Sequence, residues 1–133
     1  MDTSIKYGMT LSSEEHGPRR LVELATMAED HGFDFVSITD HYHPWVDEQG
    51  HAPFVWSVLG AVAQATSEME IAVGVTCPIM RVHPAVLAQA TATTALLADG
   101  RPGSATASGS PGRPRTRSSG GRRPVVPVRC TPS

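Results

Sequence analysis

The chain has 133 residues, of which 40% are hydrophobic and 18% charged, and its formal net charge is -2. No apolar run approaches the roughly 20 residues that a membrane-spanning helix needs, and the amino terminus lacks a charged start followed by an apolar stretch. Cys77 and Cys130 match no metal-ligand or CxxC spacing. We therefore expect a soluble, unexported, cytoplasmic protein without a disulfide, and these features exclude a disulfide-stapled secreted scaffold.

The small net charge hides a division of the chain into two parts. Residues 1–100 carry 4 basic and 13 acidic side chains, whereas residues 101–133 carry 7 arginines and no acid. Arg, Pro, Ser and Gly fill 24 of the last 33 positions, and every histidine and aromatic residue precedes residue 100. Such a segment cannot build a hydrophobic core. We predict a globular domain over residues 1–100 and a disordered, low-complexity tail over residues 101–133.

Hydrophobic periodicity predicts three successive strand-loop-helix units in the first domain. The predicted strands cover residues 5–9, 35–39 and 71–75, and the predicted helices run from about 18 to 31, 54 to 66 and 84 to 97. Residues 12–15 (Ser-Ser-Glu-Glu), followed by Pro18, have the composition of a helix start. Repeated units of this kind predict an α/β fold with a parallel sheet and right-handed crossovers. Three units do not close a barrel, so the sheet should keep open edges and an uncovered face.

The loop after the second predicted strand holds most of the residues that could carry chemistry. Residues 39–56 contain three histidines, three acids and both tryptophans. Asp40 and His41 should lie at the carboxyl end of a strand, which is where parallel α/β folds bind ligands. Histidine in a pocket most often accepts or donates protons.

Several alternatives remain open for this loop and for the tail. The three histidines could bind a metal together with an aspartate, although Pro44 and Trp45 favour a packed loop. Trp45 could form the wall of a flat pocket or simply pack, and packing in a helix seam is favoured for Trp56. Asp40 could merely anchor its loop. The basic tail could make the chain a small α/β module that binds nucleic acid, but it lacks aromatic residues and a docking motif.

Four stretches of the first domain are similar to a known family. They are residues 37–45 (Ser-Ile-Thr-Asp-His-Tyr-His-Pro-Trp), 50–54 (Gly-His-Ala-Pro-Phe), 74–78 (Gly-Val-Thr-Cys-Pro) and 83–89 (His-Pro-Ala-Val-Leu-Ala-Gln). Together they resemble the luciferase-like superfamily, in its branch of coenzyme F420-dependent glucose-6-phosphate dehydrogenase-like oxidoreductases. The resemblance covers residues 5 to about 101. It implies a TIM (β/α)8 barrel, of which this chain holds the first three units.

The resemblance also implies roles for particular residues. His41 would act as the catalytic proton-handling group, Trp45 would line the catalytic site, and Asp40 would contact coenzyme F420. Cys77 occupies a cofactor-contacting position where relatives have threonine, so its hydroxyl contact would be missing. A non-proline cis peptide would fall near residues 74–76. The site would need no metal.

The implied reaction is hydride transfer between a deazaflavin and an alcohol or a sugar-phosphate type of substrate. An FMN-dependent monooxygenase of the same superfamily is the alternative enzyme. The implied partner is a small molecule rather than a membrane or a nucleic acid, and full-length relatives would be homodimers.

The family pattern breaks at the start of the tail. Relatives continue with a fourth strand resembling Gly-Arg-Phe-x-x-Gly-Val-Gly, but residues 101–109 read Arg-Pro-Gly-Ser-Ala-Thr-Ala-Ser-Gly. Among the codons that the genetic code allows for residues 102–109 is the set CCC GGT TCA GCT ACG GCG TCG GGN. Joining the last base of each codon to the first two of the next gives Arg-Phe-Ser-Tyr-Gly-Val-Gly. We hypothesise a frameshift near residues 100–102, and we expect the chain by itself to be poorly folded and inactive.

Overall fold

The computed structural model describes residues 5–77 and 80–101 of the chain, in which three strands alternate with three helices. The elements are β1 (Gly8–Leu11), α1 (Pro18–Asp30), β2 (Phe35–Ile38), α2 (Val55–Ala65), β3 (Glu70–Val73) and α3 (Pro84–Leu97). The predicted order of elements is thereby confirmed. The predicted disordered tail lies outside the described residues except for Arg101.

The three strands form one parallel sheet in the order β1-β2-β3. The register aligns the ends of all three strands, because Leu11 is opposite Ile38 and Ile38 is opposite Val73. These three side chains are buried, whereas their strand neighbours are partly or fully exposed. One face of the sheet therefore packs against the helices, and the other face is only partly covered, as the sequence predicts. This is the parallel α/β arrangement of a partial barrel.

The hydrophobic core lies between the sheet and the helices, with α2 in the centre. This helix contacts both α1 and α3, and six of its eleven residues are buried. The buried set includes Trp56, which packs in the helix layer as its sequence context favours. By contrast, Leu87 and Thr94 are the buried residues of α3. Helix α3 therefore packs against α2 along one side.

The largest differences from the predicted boundaries concern β1 and the segment that follows it. Strand β1 covers Gly8–Leu11 instead of residues 5–9; Ile5 and Tyr7 are exposed, and Leu11, at the other end of the strand, is buried. Residues 12–15 do not start a helix; they form a turn after β1, and α1 begins at Pro18. Proline suits that position because its missing N–H needs no partner in the first helical turn.

Two further features of the backbone concern earlier predictions. The peptide bond between Gly74 and Val75 is cis, which confirms the cis peptide predicted near residues 74–76. Gly74 lies directly after β3, where an added methyl group would overlap the hydroxyl of Ser37. No helix in the described part of the chain is long and apolar enough to cross a bilayer.

Candidate active site at the carboxyl ends of the strands

The turn after β1 and the loop after β2 meet because the parallel ladder continues past both strands. The N–H of Thr39 donates to the carbonyl of Leu11, at 3.2 Å, and the N–H of Ser13 donates to the hydroxyl of Thr39, at 2.9 Å. The hydroxyl of Ser13 in turn donates to the carbonyl of Thr39, at 2.8 Å. This network fixes the turn that carries Glu14 against the strand end that carries His41.

Glu14 and His41 form the central pair of the site. Nδ1 of His41 hydrogen-bonds Oε1 of Glu14, and the Glu14 side chain is 3% exposed while that of His41 is 35% exposed. The second oxygen, Oε2, accepts from the hydroxyls of Ser12 and Thr39, each at 2.9 Å. A buried carboxylate is therefore connected to the surface through an imidazole ring.

The environment of Glu14 keeps this carboxylate ionised. Burial would raise the pKa of Glu14, but hydrogen bonds from its own backbone N–H, from Thr39, from Ser12 and from His41 together hold the pKa below its usual value. An ionised Glu14 can only accept hydrogen bonds, so Nδ1 of His41 must carry a proton and donate it. In the neutral ring the lone pair is then on Nε2, which makes no hydrogen bond within the described residues.

Trp45 packs against the His41 ring rather than bonding to it. The two rings meet edge to face, with centroids 5.3 Å apart and planes at 89°. Nε1 of Trp45 lies 3.2 Å from Nδ1 of His41, but a nitrogen that donates to Glu14 has no lone pair left for a second donor. The bond to the carboxylate is charge-assisted and therefore stronger. Trp45 itself is 76% exposed, so its indole face lies open beside His41.

Asp40 is the most enclosed side chain of the site. Its carboxylate is 1% exposed; Oδ1 pairs with the guanidinium of Arg81, and Oδ2 accepts from the hydroxyl of Thr76. Both partners follow β3, so Asp40 ties the end of β2 to the end of β3. The cofactor contact that the resemblance assigns to Asp40 remains a prediction.

The structure does not bring Cys77 into this network. Cys77 is exposed, and the neighbouring Thr76 makes the contact with Asp40. A cofactor contact by Cys77 also remains a prediction.

The remaining histidines of the loop lie apart from the central pair. His43 is exposed and its Nδ1 lies 2.9 Å from the carbonyl of Pro44. His51 is exposed too, and its backbone N–H donates to the carbonyl of Glu14, at 3.1 Å. Across residues 5–77 and 80–101, no group of three histidine, cysteine, aspartate or glutamate side chains could hold a metal ion. The metal-site alternative therefore has no support from this geometry.

Sequence reasoning missed two charged residues of the site. Glu14 was assigned to a helix start, but it follows β1 directly, and the rule that placed Asp40 and His41 at a strand end applies equally to it. Arg81 follows β3 and is one of only four basic residues among the first 100, which is a signal for a specific pairing. The sequence does not show which of the 13 acids it pairs with.

The fold and this site define an α/β protein with a histidine–carboxylate pair at the carboxyl ends of parallel strands. The family model of the luciferase-like monooxygenases matches residues 3–117. The chain therefore belongs to the luciferase-like monooxygenase family. The match ends inside the predicted tail rather than at residue 100.

The matches to individual relatives cover most of this chain but only part of each relative. An F420-dependent glucose-6-phosphate dehydrogenase of Rhodococcus jostii (strain RHA1) is 46% identical over 97 residues, which are 73% of this chain and 29% of that protein. A protein of the same name from Kribbella flavida is 47% identical over 98 residues, covering 74% of this chain and 29% of its own length. The chain thus spans less than a third of the curated relatives it matches.

Two solved structures are also similar to this chain. One is an F420-dependent secondary alcohol dehydrogenase in complex with an F420-acetone adduct, with a TM-score of 0.69, 40% identity, and coverage of 72% of this chain and 29% of that chain. The other is the monooxygenase RslO1 from Streptomyces bottropensis, with a TM-score of 0.60, 26% identity, and coverage of 73% and 31%. Both fit the interpretation of the described residues as part of a luciferase-like barrel.

Proposed function

We propose that this chain contributes the first part of an F420-dependent oxidoreductase site, in which hydride passes between an alcohol or sugar-phosphate type of substrate and a deazaflavin. The observation that carries the proposal is the pair of His41 and Glu14 at adjacent strand ends. F420-dependent dehydrogenases among the relatives and solved structures support the same cofactor. We further propose a cytoplasmic location and assembly with a second copy in the full-length enzyme.

The residues present fit a flat, largely apolar cofactor. Trp45, Tyr42 and Phe54 are exposed in the loop that follows β2, and Val75 is exposed directly after β3. Exposed aromatic and apolar side chains at one edge of a sheet are the usual lining of a pocket for a ring system.

The chemistry of alcohol oxidation assigns separate tasks to the cofactor and to the protein. A bound deazaflavin supplies the hydride acceptor, which is the difficult part of the reaction. As the carbinol carbon loses its hydride, the hydroxyl loses a proton and a carbonyl group forms. Nε2 of His41 accepts that proton, because Nδ1 is already protonated and faces Glu14. Glu14 fixes the ring and stabilises the imidazolium that results.

A second candidate function is an FMN-dependent monooxygenase. It is favoured by the description of the family model and by the similarity to RslO1, which is itself a monooxygenase. The two candidates share the fold and differ in the cofactor. Direct binding experiments therefore separate them.

The test is a titration with oxidised F420 and, separately, with FMN, followed by the absorbance and fluorescence of each cofactor. It is made on this chain and on the product of the alternative reading frame after residue 101. Cofactor reduction is then followed with glucose 6-phosphate and with a simple secondary alcohol. We expect binding and reduction of F420. Preferential FMN binding would establish the second candidate, and binding of neither cofactor by either product would contradict both.

A further inference from the structure

Arg81 takes no part in the proton transfer proposed above, but it contacts Asp40, the residue before His41. Its Nη2 pairs with Oδ1 of Asp40, and its Nη1 lies 3.5 Å from the main-chain carbonyl oxygen of Asp40. That carbonyl belongs to the peptide bond that joins Asp40 to His41. The guanidinium therefore spans both the side chain and the main chain at the point from which His41 begins.

Asp40 has a third contact, with Thr76, whose hydroxyl donates to Oδ2 of Asp40. Both holding residues follow β3, while Asp40 and His41 follow β2. Because the Asp40 side chain is almost fully buried, water cannot take over these contacts. The position of His41 on its strand end is thus defined by the loop of the neighbouring strand.

The charges of the site are distributed in two separate pairs. Glu14 contacts His41, and Asp40 contacts Arg81. His51 is also next to this pair, and its backbone N–H donates to the carbonyl of Glu14. A buried carboxylate that loses its cation is strongly destabilised, so the loss of Arg81 would force Asp40 to move or to take a proton. In either case the contacts of Arg81 that fix the peptide group before His41 are lost.

We propose that Arg81 is a positioning residue, which holds His41 on Glu14 by fixing Asp40 and the peptide bond between Asp40 and His41. The proposal rests on the proposed function only in taking His41 as the proton-handling group. It assigns to Arg81 no contact with substrate or cofactor.

The test is nuclear magnetic resonance of whichever product unfolds cooperatively in urea, this chain or the product of the alternative reading frame. The parent product is labelled with ¹⁵N, and the ring nitrogens of His41 and the proton on Nδ1 are observed. In the parent chain we expect a protonated Nδ1 with a downfield proton that exchanges slowly with water. In the variant Arg81→Gln this proton should exchange faster by about tenfold or more, the factor that corresponds to one lost hydrogen bond to a charged group. Arg20→Gln, on the exposed face of α1, is the matched control and should leave the signal unchanged.

Two further variants test whether the effect on His41 comes from its position rather than from misfolding or from the lost charge of Arg81. Asp40→Asn/Arg81→Gln leaves no unpaired buried charge, so it avoids the main risk of misfolding, and the proposal still expects faster exchange of the His41 proton. Arg81→Lys keeps the charge but cannot span both groups of Asp40, so faster exchange is expected there as well.

An unchanged His41 signal in a folded double variant would overturn the proposal, and so would the absence of the signal from the parent chain. Because no cofactor is present, a failure of F420 binding leaves this result independent.

Discussion

The two ends of the sheet each hold a carboxylate in a network of hydrogen bonds, but they use it differently. At the carboxyl ends of the strands, one oxygen of Glu14 accepts hydrogen bonds from hydroxyl groups and the other accepts from His41. At the amino ends, Glu29 accepts from three successive backbone N–H groups, those of Ser67, Glu68 and Met69, at 2.7 to 3.0 Å. Glu29 thus clamps the end of α1 to the segment that leads into β3.

Glu14 and Glu29 differ in the groups that donate hydrogen bonds to them rather than in the carboxylates themselves. Burial would raise the pKa of Glu29, as it would that of Glu14, but hydrogen bonds from the backbone and the charge of Arg101 hold the Glu29 pKa below its usual value. Backbone N–H groups do not ionise at the pH values at which carboxylates and histidines titrate. The contacts of Glu29 can therefore stabilise the structure but cannot transfer protons. Glu14 faces a partly exposed histidine, which can exchange protons with a ligand. A histidine partner is what distinguishes the catalytic candidate from the structural clamp.

The largest expected effect comes from breaking the pair at the carboxyl ends. Glu14→Gln and His41→Ala should each lower the rate of hydride transfer by roughly 100- to 10,000-fold, because general acid-base catalysis is lost. The measurement is F420 reduction under saturating substrate, in whichever of the two translation products reduces F420. The exposed neighbour Glu15 provides the control Glu15→Gln. A rate for Glu14→Gln equal to that of this control would remove Glu14 from the mechanism.

The next effect is on stability, at the opposite end of the sheet. Glu29→Gln should lower the free energy of unfolding by about 1–2 kcal/mol, because a charged acceptor of backbone N–H groups becomes a neutral amide. Urea denaturation followed by circular dichroism measures the change, and Glu68→Gln, at an exposed position beside the clamp, is the control. Equal stability of the two variants would contradict the clamp. The same experiment tests the expectation of poor folding, since a poorly folded chain shows no cooperative transition.

A pH dependence of stability should accompany both carboxylates. Each has a lower pKa in the folded state than its ordinary value of 4.5, so the folded chain binds fewer protons than the unfolded chain in acid. Their contribution is therefore complete above the unfolded-state pKa and is lost as the pH falls through the folded-state pKa. Urea midpoints measured across this range should fall less steeply for Glu29→Gln than for the parent chain. Parallel curves would show that Glu29 does not titrate in this way.

The smallest effect is expected at an ion pair whose side chains are largely exposed. Arg20 and Glu23 form an ion pair on α1, with side chains 52% and 61% exposed. Arg20→Gln should change the free energy of unfolding by less than about 0.5 kcal/mol, because water screens such pairs. Thermal denaturation of the variant beside Glu29→Gln completes the comparison. A loss as large as that of Glu29→Gln would show that an exposed ion pair contributes as much as the backbone hydrogen bonds of the clamp.

The sequence predicts the elements well and the contacts between them less well. The apolar spacing in α1 and α2 reflects burial on one face, which is a local property, so helix positions follow from it directly. The role of Glu14 depends on the pairing of β1 with β2, which brings it to a histidine 27 positions away. Local composition gives no information on that pairing, and it led to the wrong assignment of residues 12–15. Arg81 and Asp40, which are 41 positions apart, were missed as a pair for the same reason.

The register of β1 with β2 has a consequence for how folding of this chain can be followed. Glu14 lies three residues beyond Leu11 and His41 three beyond Ile38, and those two strand residues are opposite each other. A slip of the pairing by two residues would keep every side chain on its correct face but would separate the pair by about 6–7 Å. Such a misaligned chain would have the same helix and strand content as the native one. The protonated nitrogen of His41 therefore serves as a sensor of strand alignment, which circular dichroism cannot detect.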